Sequence, residues 1–434
     1  MQLQVGYSRV KITPELPISI SGYGDEPIRV SQGVKDDLYA TCIAITQGED
    51  TILLFALDLL GVSDWFGNMI RQSVCPATGI PESHVFISAS HTHSGPIQYS
   101  DSEAAVDFRE KLWVCARQAA EEALADRSPA QMLYTMQEVP GMNFIRHYEM
   151  EDGTYCGSNF GNWYQRIIRH ARETDPRMIL VKFAREEKED IVLMNWQGHN
   201  DNCKQVGYYL ISSSYVGRVR NAFERQLPDT KFAFIMGASG DQNCNSKINR
   251  EMHHLDYIGY GETLAGIAIR MLKQLQPMTG EGFKTVHHTF VAERNRAGVE
   301  KLEQAKEVWD AWRNVSKEES RALAKQYGFT SPYQASSIIG RSQMEETVNI
   351  ELDAFHIGDM GFVVCGNEVF STVGKYIRAC SPFKPVFIIT GNHRYLPCKE
   401  AFDYRAYEAD TSLYAQGTAE KVARKLVEML HQVK

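Results

Sequence analysis

No run of apolar residues in this chain of 434 residues reaches the ~18 needed to cross a bilayer as a helix, which argues against a transmembrane segment. Positive charge is also scarce: 46 Lys and Arg face 54 Asp and Glu, a formal net charge of −8. Nucleic acids and anionic membrane surfaces attract basic fields, so neither is an expected general partner. The opening MQLQVGYSRVKITPE has no charged n-region followed by an apolar core, so no secretory leader is expected and the localisation is read as cytoplasmic. Nine cysteines, at 42, 75, 115, 156, 203, 244, 365, 380 and 398, are odd in number and include no CxxC pair. That usage fits reduced core thiols better than a disulfide frame or a zinc knuckle. The 15 prolines and 32 glycines gather into no linker, and no repeat or low-complexity tract divides the chain.

What remains is the composition of a globular enzyme-sized domain, 43% hydrophobic and 23% charged, enough to bury a large core. Apolar runs rich in Val, Ile and Phe predict strands at 40–46, 51–58, 85–89, 178–183, 190–196, 231–236, 362–365 and 386–390. Amphipathic stretches predict helices at 64–75, 104–126, 215–226, 257–274, 297–327 and 418–432. The alternation implies an α/β fold, a layered domain with a mixed β-sheet flanked by helices. Residues 1–434 are expected to form a single domain. A helical insertion around 297–330 would lie outside it or form the contact of a homo-oligomer.

Chemistry concentrates where strands end. Ser88-Ala89-Ser90-His91-Thr92-His93-Ser94-Gly95-Pro96 follows the apolar HVFIS. An HxH pair at a strand end aims both imidazoles at one cavity only if the backbone bends, and Gly95-Pro96 is the expected bend. Neutral imidazoles there suit zinc; taken alone, the segment could equally be a polar turn. A second site, Asn195 to Asn202, places His199 after IVLMNW, where a lone histidine is as readily a bonded polar residue. A third, Gly237 to Asn245, follows FAFIM and holds Asp241, Asn243 and small residues that let a ligand approach the backbone. Gly366-Asn367-Glu368 follows FVVC, and Tyr404 to Asp410 carries two tyrosines and three charges. Ligands in open α/β sheets bind at the C-terminal ends of strands. The shared placement is stronger evidence than any one motif.

With these residues in view, the sequence resembles the catalytic domain of the neutral/alkaline, non-lysosomal ceramidase family. The likeness begins at Val5-Gly6-Tyr7-Ser8-Arg9-Val10-Lys11-Ile12-Thr13-Pro14 and Gly22-Tyr23-Gly24. It continues through Asp37-Leu38-Tyr39-Ala40, Asp58-Leu59-Leu60, the HTHSGP block and Asn143-Phe144-Ile145-Arg146, then His199, Gly240-Asp241, Gly366-Asn367-Glu368 and Tyr407-Glu408. The resemblance implies one Zn2+ per chain, with room for a second metal, held by His91, His199, Glu368 and Tyr407. It implies that His93, Asp241 and Asn243 serve catalysis and that Arg146 and Tyr395 bind substrate, with a metal-activated water attacking an amide or ester carbonyl.

Departures from the family pattern bear on the substrate. Gly240-Asp241-Gln242-Asn243-Cys244-Asn245 stands where ceramidases carry Gly-Asp-Val-Ser-Pro-Asn, so Asn243 replaces a serine. Ser212-Ser213-Ser214 lacks an acidic group of the family's segment, and the chain ends at Lys434 without the family's C-terminal β-sandwich. The expected activity is therefore hydrolysis of a small polar substrate, an N-acyl compound, ester or lactone. True ceramidase activity, a metal-dependent lyase or isomerase, and a binding protein for a carbohydrate-like ligand are the alternatives. Trp163 and Trp196 are candidate stacking platforms for the last.

Overall fold

The computed structural model describes residues 2–23, 29–157, 160–161, 163–248, 255–391 and 394–434, without the side chains of 205 and 206. Gly24, quoted above, lies outside the described residues. Twelve longer strands build the framework. They are β1 (Leu3–Lys11), β2 (Tyr39–Gln47), β3 (Asp50–Leu57), β4 (Val85–Ala89), β5 (Ser128–Glu138) and β6 (Arg177–Arg185). The others are β7 (Asp190–Trp196), β8 (Thr230–Met236), β9 (Phe283–Glu293), β10 (Thr347–Ile357), β11 (Met360–Cys365) and β12 (Val386–Thr390).

A mixed sheet of nine strands runs β8-β7-β6-β5-β1-β2-β3-β4, with Gln276–Pro277 added to β5, and a second sheet runs β9-β10-β11-β12. The mixed sheet with flanking helices is as the sequence implies. The second sheet is a further layer, stacked on the first. Between them lies a core that includes Ile43, Ile45, Phe86, Phe355, Phe362 and Phe387. Helices Asp64–Thr78 and Glu103–Ala125 cover one half of the large sheet's outer face, with Phe66, Ile70, Phe108 and Leu112 buried. Helices Ser214–Gln226 and Tyr257–Met271 cover the other half, and Ser371–Cys380 with Thr418–Val433 cover the second sheet. The order of layers is helix, sheet, sheet, helix.

Pairing is antiparallel in both sheets except at β3–β4, β7–β8 and β11–β12. β4 is buried along its whole length, as a parallel strand covered on both faces must be. Polar side chains bind the parallel pairs to one another. Ser88 Oγ donates to Thr390 O at 2.7 Å, and Thr390 Oγ donates to Gly237 O at 3.0 Å. Asn195 Nδ2 donates to Ile235 O at 3.0 Å and to Ile388 O at 2.8 Å. The C-terminal ends of β4, β7, β8, β11 and β12 are thereby gathered at one place.

The helical insertion is longer than expected and is broken twice. Its helices are Leu302–Asn314, Lys317–Tyr327 and Pro332–Ser342. Ser316 and Ser331 cap the second and third by accepting from backbone N–H groups, and Gly328 ends the second in the left-handed region. The segment packs onto the rest of the chain: Arg341 Nη1 donates to Asp410 O at 2.7 Å and to Ser412 O at 2.9 Å. No helix among the described residues is long and apolar enough to cross a membrane.

The two sheets meet through stacked rings. Phe355 lies 4.4 Å from Phe86 at 8° and 4.5 Å from Phe362 at 3° between centroids and planes, and it is fully buried. Phe355→Ala removes the middle ring of this stack. A loss of about 3–5 kcal/mol is expected in denaturant unfolding, with a markedly smaller loss for Phe355→Leu. Equal, sub-kcal effects of both would show that the stack does not hold the sheets together.

Candidate metal centre

The first histidine owes its direction to its own backbone. Ser90 N–H donates to Leu57 O at 2.8 Å, continuing the β3–β4 pairing, and His91 then turns with φ +59°. A non-glycine residue held there costs of the order of 1–3 kcal/mol, a strain found chiefly at functional positions. The bend is thus at His91 and not at Gly95-Pro96, which dock on Ser21 and Ile20 instead. His93 is fixed by its N–H to Asn200 O at 3.2 Å and by Arg29 Nη2 donating to His93 O at 2.7 Å. Gly22, at φ +102°, passes so close that a Cβ there would lie 2.7 Å from His93 Cα. Only glycine fits.

His199 enters from β7, its N–H bonded to Gln242 O at 2.9 Å. Its Nδ1 faces Ser239 O at 3.4 Å, which leaves Nε2 as the lone-pair nitrogen. That Nε2 lies 3.2 Å from His91 Nε2 and 3.1 Å from His93 Nε2. Burial, then the neighbouring His91 and Arg146, pushes His93 and His199 well below the ordinary imidazole range, so both rings are neutral. Glu368, after β11, brings Oε2 to 3.4 Å from His91 Nε2, and this oxygen is buried with no hydrogen-bond partner. Burial raises its carboxyl well above the usual range, against the pull of Arg146.

Metal–nitrogen bonds of 2.0–2.1 Å in a tetrahedral site place donor atoms about 3.3–3.4 Å apart. The spacings here are 3.1–3.4 Å. Neutral imidazoles with converging nitrogens and a buried carboxyl lacking a donor are chemically what a divalent cation would satisfy. The residues present therefore fit such an ion, and the ligand atoms of His91, His93 and His199 all lie within 4.8 Å of one another. His93 stands in this group, whereas the sequence reading kept it beside the ligands.

Around the imidazoles lie the other expected residues. Arg146 is buried, its Nη2 2.6 Å from Glu408 Oε1 and its guanidinium 5.4 Å over the Tyr395 ring. Tyr395 pairs with Glu368 through the short parallel bridge Glu368–Tyr395 and Val369–Leu396. Tyr407 is half-buried, its ring 6.0 Å from Tyr395 and 5.9 Å from Tyr333 of the helical insertion. Asn243 is bridged to His199 through the backbone, and its buried Oδ1 has no partner. Asp241 is differently employed. Its Oδ1 accepts from Ser371 N at 2.7 Å, and its Oδ2 accepts from Ser371 Oγ at 2.9 Å and Arg172 Nη2 at 3.1 Å. Both of its oxygens are engaged.

Sequence reasoning passed over several residues here. His147, fully buried beside Arg146, lies 2.8 Å from Glu408 Oε2. Glu408 was quoted with Tyr407 only as part of a motif. Burial would raise its carboxyl, yet Arg146 and His147 bring it down to about 2. Burial raises Asp201 to about 6. An acidic side chain also reaches the serine segment from elsewhere in the chain, since Ser212 Oγ donates to Asp36. Trp196 is fully buried and donates to Tyr260 OH at 3.0 Å, so it is core and not a sugar platform. Only the adjacent charges Arg146-His147 and Tyr407-Glu408 could have signalled this network.

Among solved structures the chain is similar to the neutral ceramidase from Pseudomonas aeruginosa, at TM-score 0.71 and 13% identity over 99% of this chain and 74% of that one. It is similar also to a ceramidase complexed with C2, at TM-score 0.70 and 14% identity over 99% and 75% of the respective chains. No protein-family model and no curated protein matches the sequence. At such identity the likeness establishes the fold, which is that of the neutral ceramidases.

Elemental analysis of the purified protein is expected to find about one divalent ion per chain, lost in His199→Ala. A wild type that stays metal-free after zinc is offered would overturn the assignment of this cluster as a metal centre.

Proposed function

We propose that this chain is a metal-dependent hydrolase of an N-acyl amide or the corresponding ester. The observation that carries the reading is the convergence of the Nε2 atoms of His91, His93 and His199, with the unpartnered oxygen of Glu368 3.4 Å from His91 Nε2. His91, His199 and Glu368 would hold the ion, with Tyr407 completing the set by the resemblance to ceramidases. Imidazole and carboxylate donors favour zinc. Bound there, the ion would acidify a water and polarise a carbonyl.

The chain's own residues divide the remaining work. Histidines that ligate metals usually donate their other ring N–H to a carbonyl or carboxylate, which fixes the ring. His199 has such a partner in Ser239 O, whereas His93 Nδ1 is buried with none. His93 is therefore assigned the proton transfer from attacking water to leaving nitrogen. Arg146, held over Tyr395, binds a polar or anionic part of the substrate, and the Asn243 amide offers it hydrogen bonds. Asp241, with both oxygens engaged, supports the site without touching the reacting atoms.

The ceramidase neighbours direct the substrate toward an N-acyl lipid and away from the small polar molecule that the sequence alone suggested. Asn243 in place of serine keeps the acyl amide as the common denominator. The panel to assay is short-chain ceramide, N-acetylated polar amines and simple esters, with products weighed by mass spectrometry, since hydrolysis adds one water. Turnover is expected to vanish on chelation and to return with zinc. His93→Ala is expected to keep its metal and lose about 10²–10⁴ in kcat. Loss of the metal in that variant would instead make His93 a ligand, and products unchanged in mass would replace hydrolysis with isomerisation.

A further inference from the structure

The Arg146 guanidinium and the Glu368 carboxyl are both buried at one site, yet the structure keeps them apart. Within 4 Å, among the described residues, the ion-pair partner of Arg146 is Glu408 and that of Glu368 is His91. A single residue, Tyr395, lies beside both: its backbone pairs with that of Glu368, and the Arg146 guanidinium sits 5.4 Å over its ring. A buried guanidinium robbed of its carboxylate is costly, and its planar fork suits any other carboxylate within reach. Without Glu408, that carboxylate is Glu368.

Glu408 is itself held at both oxygens. Oε1 meets Arg146, and Oε2 lies 2.8 Å from His147 Nε2. Beyond it, His147 Nδ1 meets Tyr404 OH at 2.7 Å, and Arg172 Nη1 donates to that hydroxyl at 2.8 Å. Arg172 Nη2, a donor only, faces His147 Nδ1 at 3.4 Å, so Nδ1 accepts and Nε2 is the protonated nitrogen that donates to Glu408. Arg172 Nη2 continues to Asp241 at 3.1 Å, and Asp241 holds Ser371, three residues beyond Glu368. The row of partners starts beside the Glu368 turn and returns to it.

From this geometry we infer that Glu408 is a positioning residue that holds Arg146 off Glu368 and so keeps Glu368 open to a divalent cation. The inference rests on the metal reading above and concerns affinity for the ion, not turnover.

Zinc affinity is to be measured on the metal-stripped full chain by competition with a chromophoric chelator, for wild type, Glu408→Gln, Arg146→Met and the double variant. Glu408→Gln should bind about 10- to 100-fold more weakly, the usual size of losses when groups orienting metal ligands are disturbed. Arg146→Met should bind like the wild type. The double variant should match Arg146→Met, because with no guanidinium to restrain, Glu408 has nothing left to do for the ion. Undiminished binding by Glu408→Gln overturns the inference. A double variant as weak as Glu408→Gln overturns it too, since Glu408 would then act through His147 or the fold. Should Glu408→Gln not fold, as thermal melting would show, the double variant against Arg146→Met reads the same contrast. A wild type that binds no zinc removes the metal reading and the inference together.

Discussion

Glu368 Oε2 is buried 3.4 Å from His91 Nε2 with no donor of its own, and the surrounding groups are arranged around that deficit. A protein normally satisfies a buried carboxyl with hydrogen bonds or a cation of its own. Here the nearby cation is committed to Glu408, and burial holds His93 and His199 well below the ordinary imidazole range. Burial holds the Glu368 carboxyl high, and a dication is the partner that would reverse this, because it interacts only with the ionised form. The site is thus a set of electron-pair donors whose protein-derived positive charge has been assigned elsewhere.

The framework explains how residues so distant in sequence reach one point. Antiparallel strands can be joined by hairpins, but parallel neighbours need crossovers, and their C-terminal ends emerge on the same side. This chain has a parallel pair at each edge of its large sheet and a third at the edge of the second sheet. Ser88, Asn195 and Thr390 tie those pairs by side-chain bonds to backbone carbonyls. Gly240 adds a second close approach: a Cβ there would stand 2.5 Å from Glu368 O, so the loop after β8 can lie against the Glu368 turn only with glycine. Replacing these small polar residues by larger ones would move whole ligand-bearing loops, not single side chains.

The parallel strands were legible because burial on both faces makes them short apolar runs; Val85–Ala89, Asp190–Trp196 and Val386–Thr390 were read to their limits. β1, β5, β9 and β10 were not read. β9, FKTVHHTFVAE, has an outward face in water and carries Lys, His and Glu there, so its signal is alternation and not hydrophobicity. At the site, strand-end histidines and acids announced themselves by type and position. The Arg146–Glu408–His147 row did not. Glu408 lies about 260 residues from Arg146 and His147, and pairing between such distant groups is a property of the folded chain.

Separate elements carry the two halves of the chemistry. The groups of the candidate metal centre come from the ends of β4, β7 and β11 and depend on the gathered sheets, so they tolerate little change. Asn243 sits on a two-residue strand, Gln242–Asn243, paired only with Phe144 and Ile145, and its free Oδ1 faces no protein donor. A substitution there alters the hydrogen bonds offered to a substrate without disturbing a framework strand. A serine-to-asparagine exchange relative to the ceramidase pattern is therefore the kind of change that redirects substrate choice while the candidate metal centre stays intact. Arg146 belongs to both halves: it is joined to Asn243's short strand by its N–H to Asp241 O at 3.0 Å, and its charge borders Glu368. On the proposed reading, that double membership is why its restraint by Glu408 matters, since a guanidinium free to choose its carboxylate would turn toward Glu368 and away from a substrate.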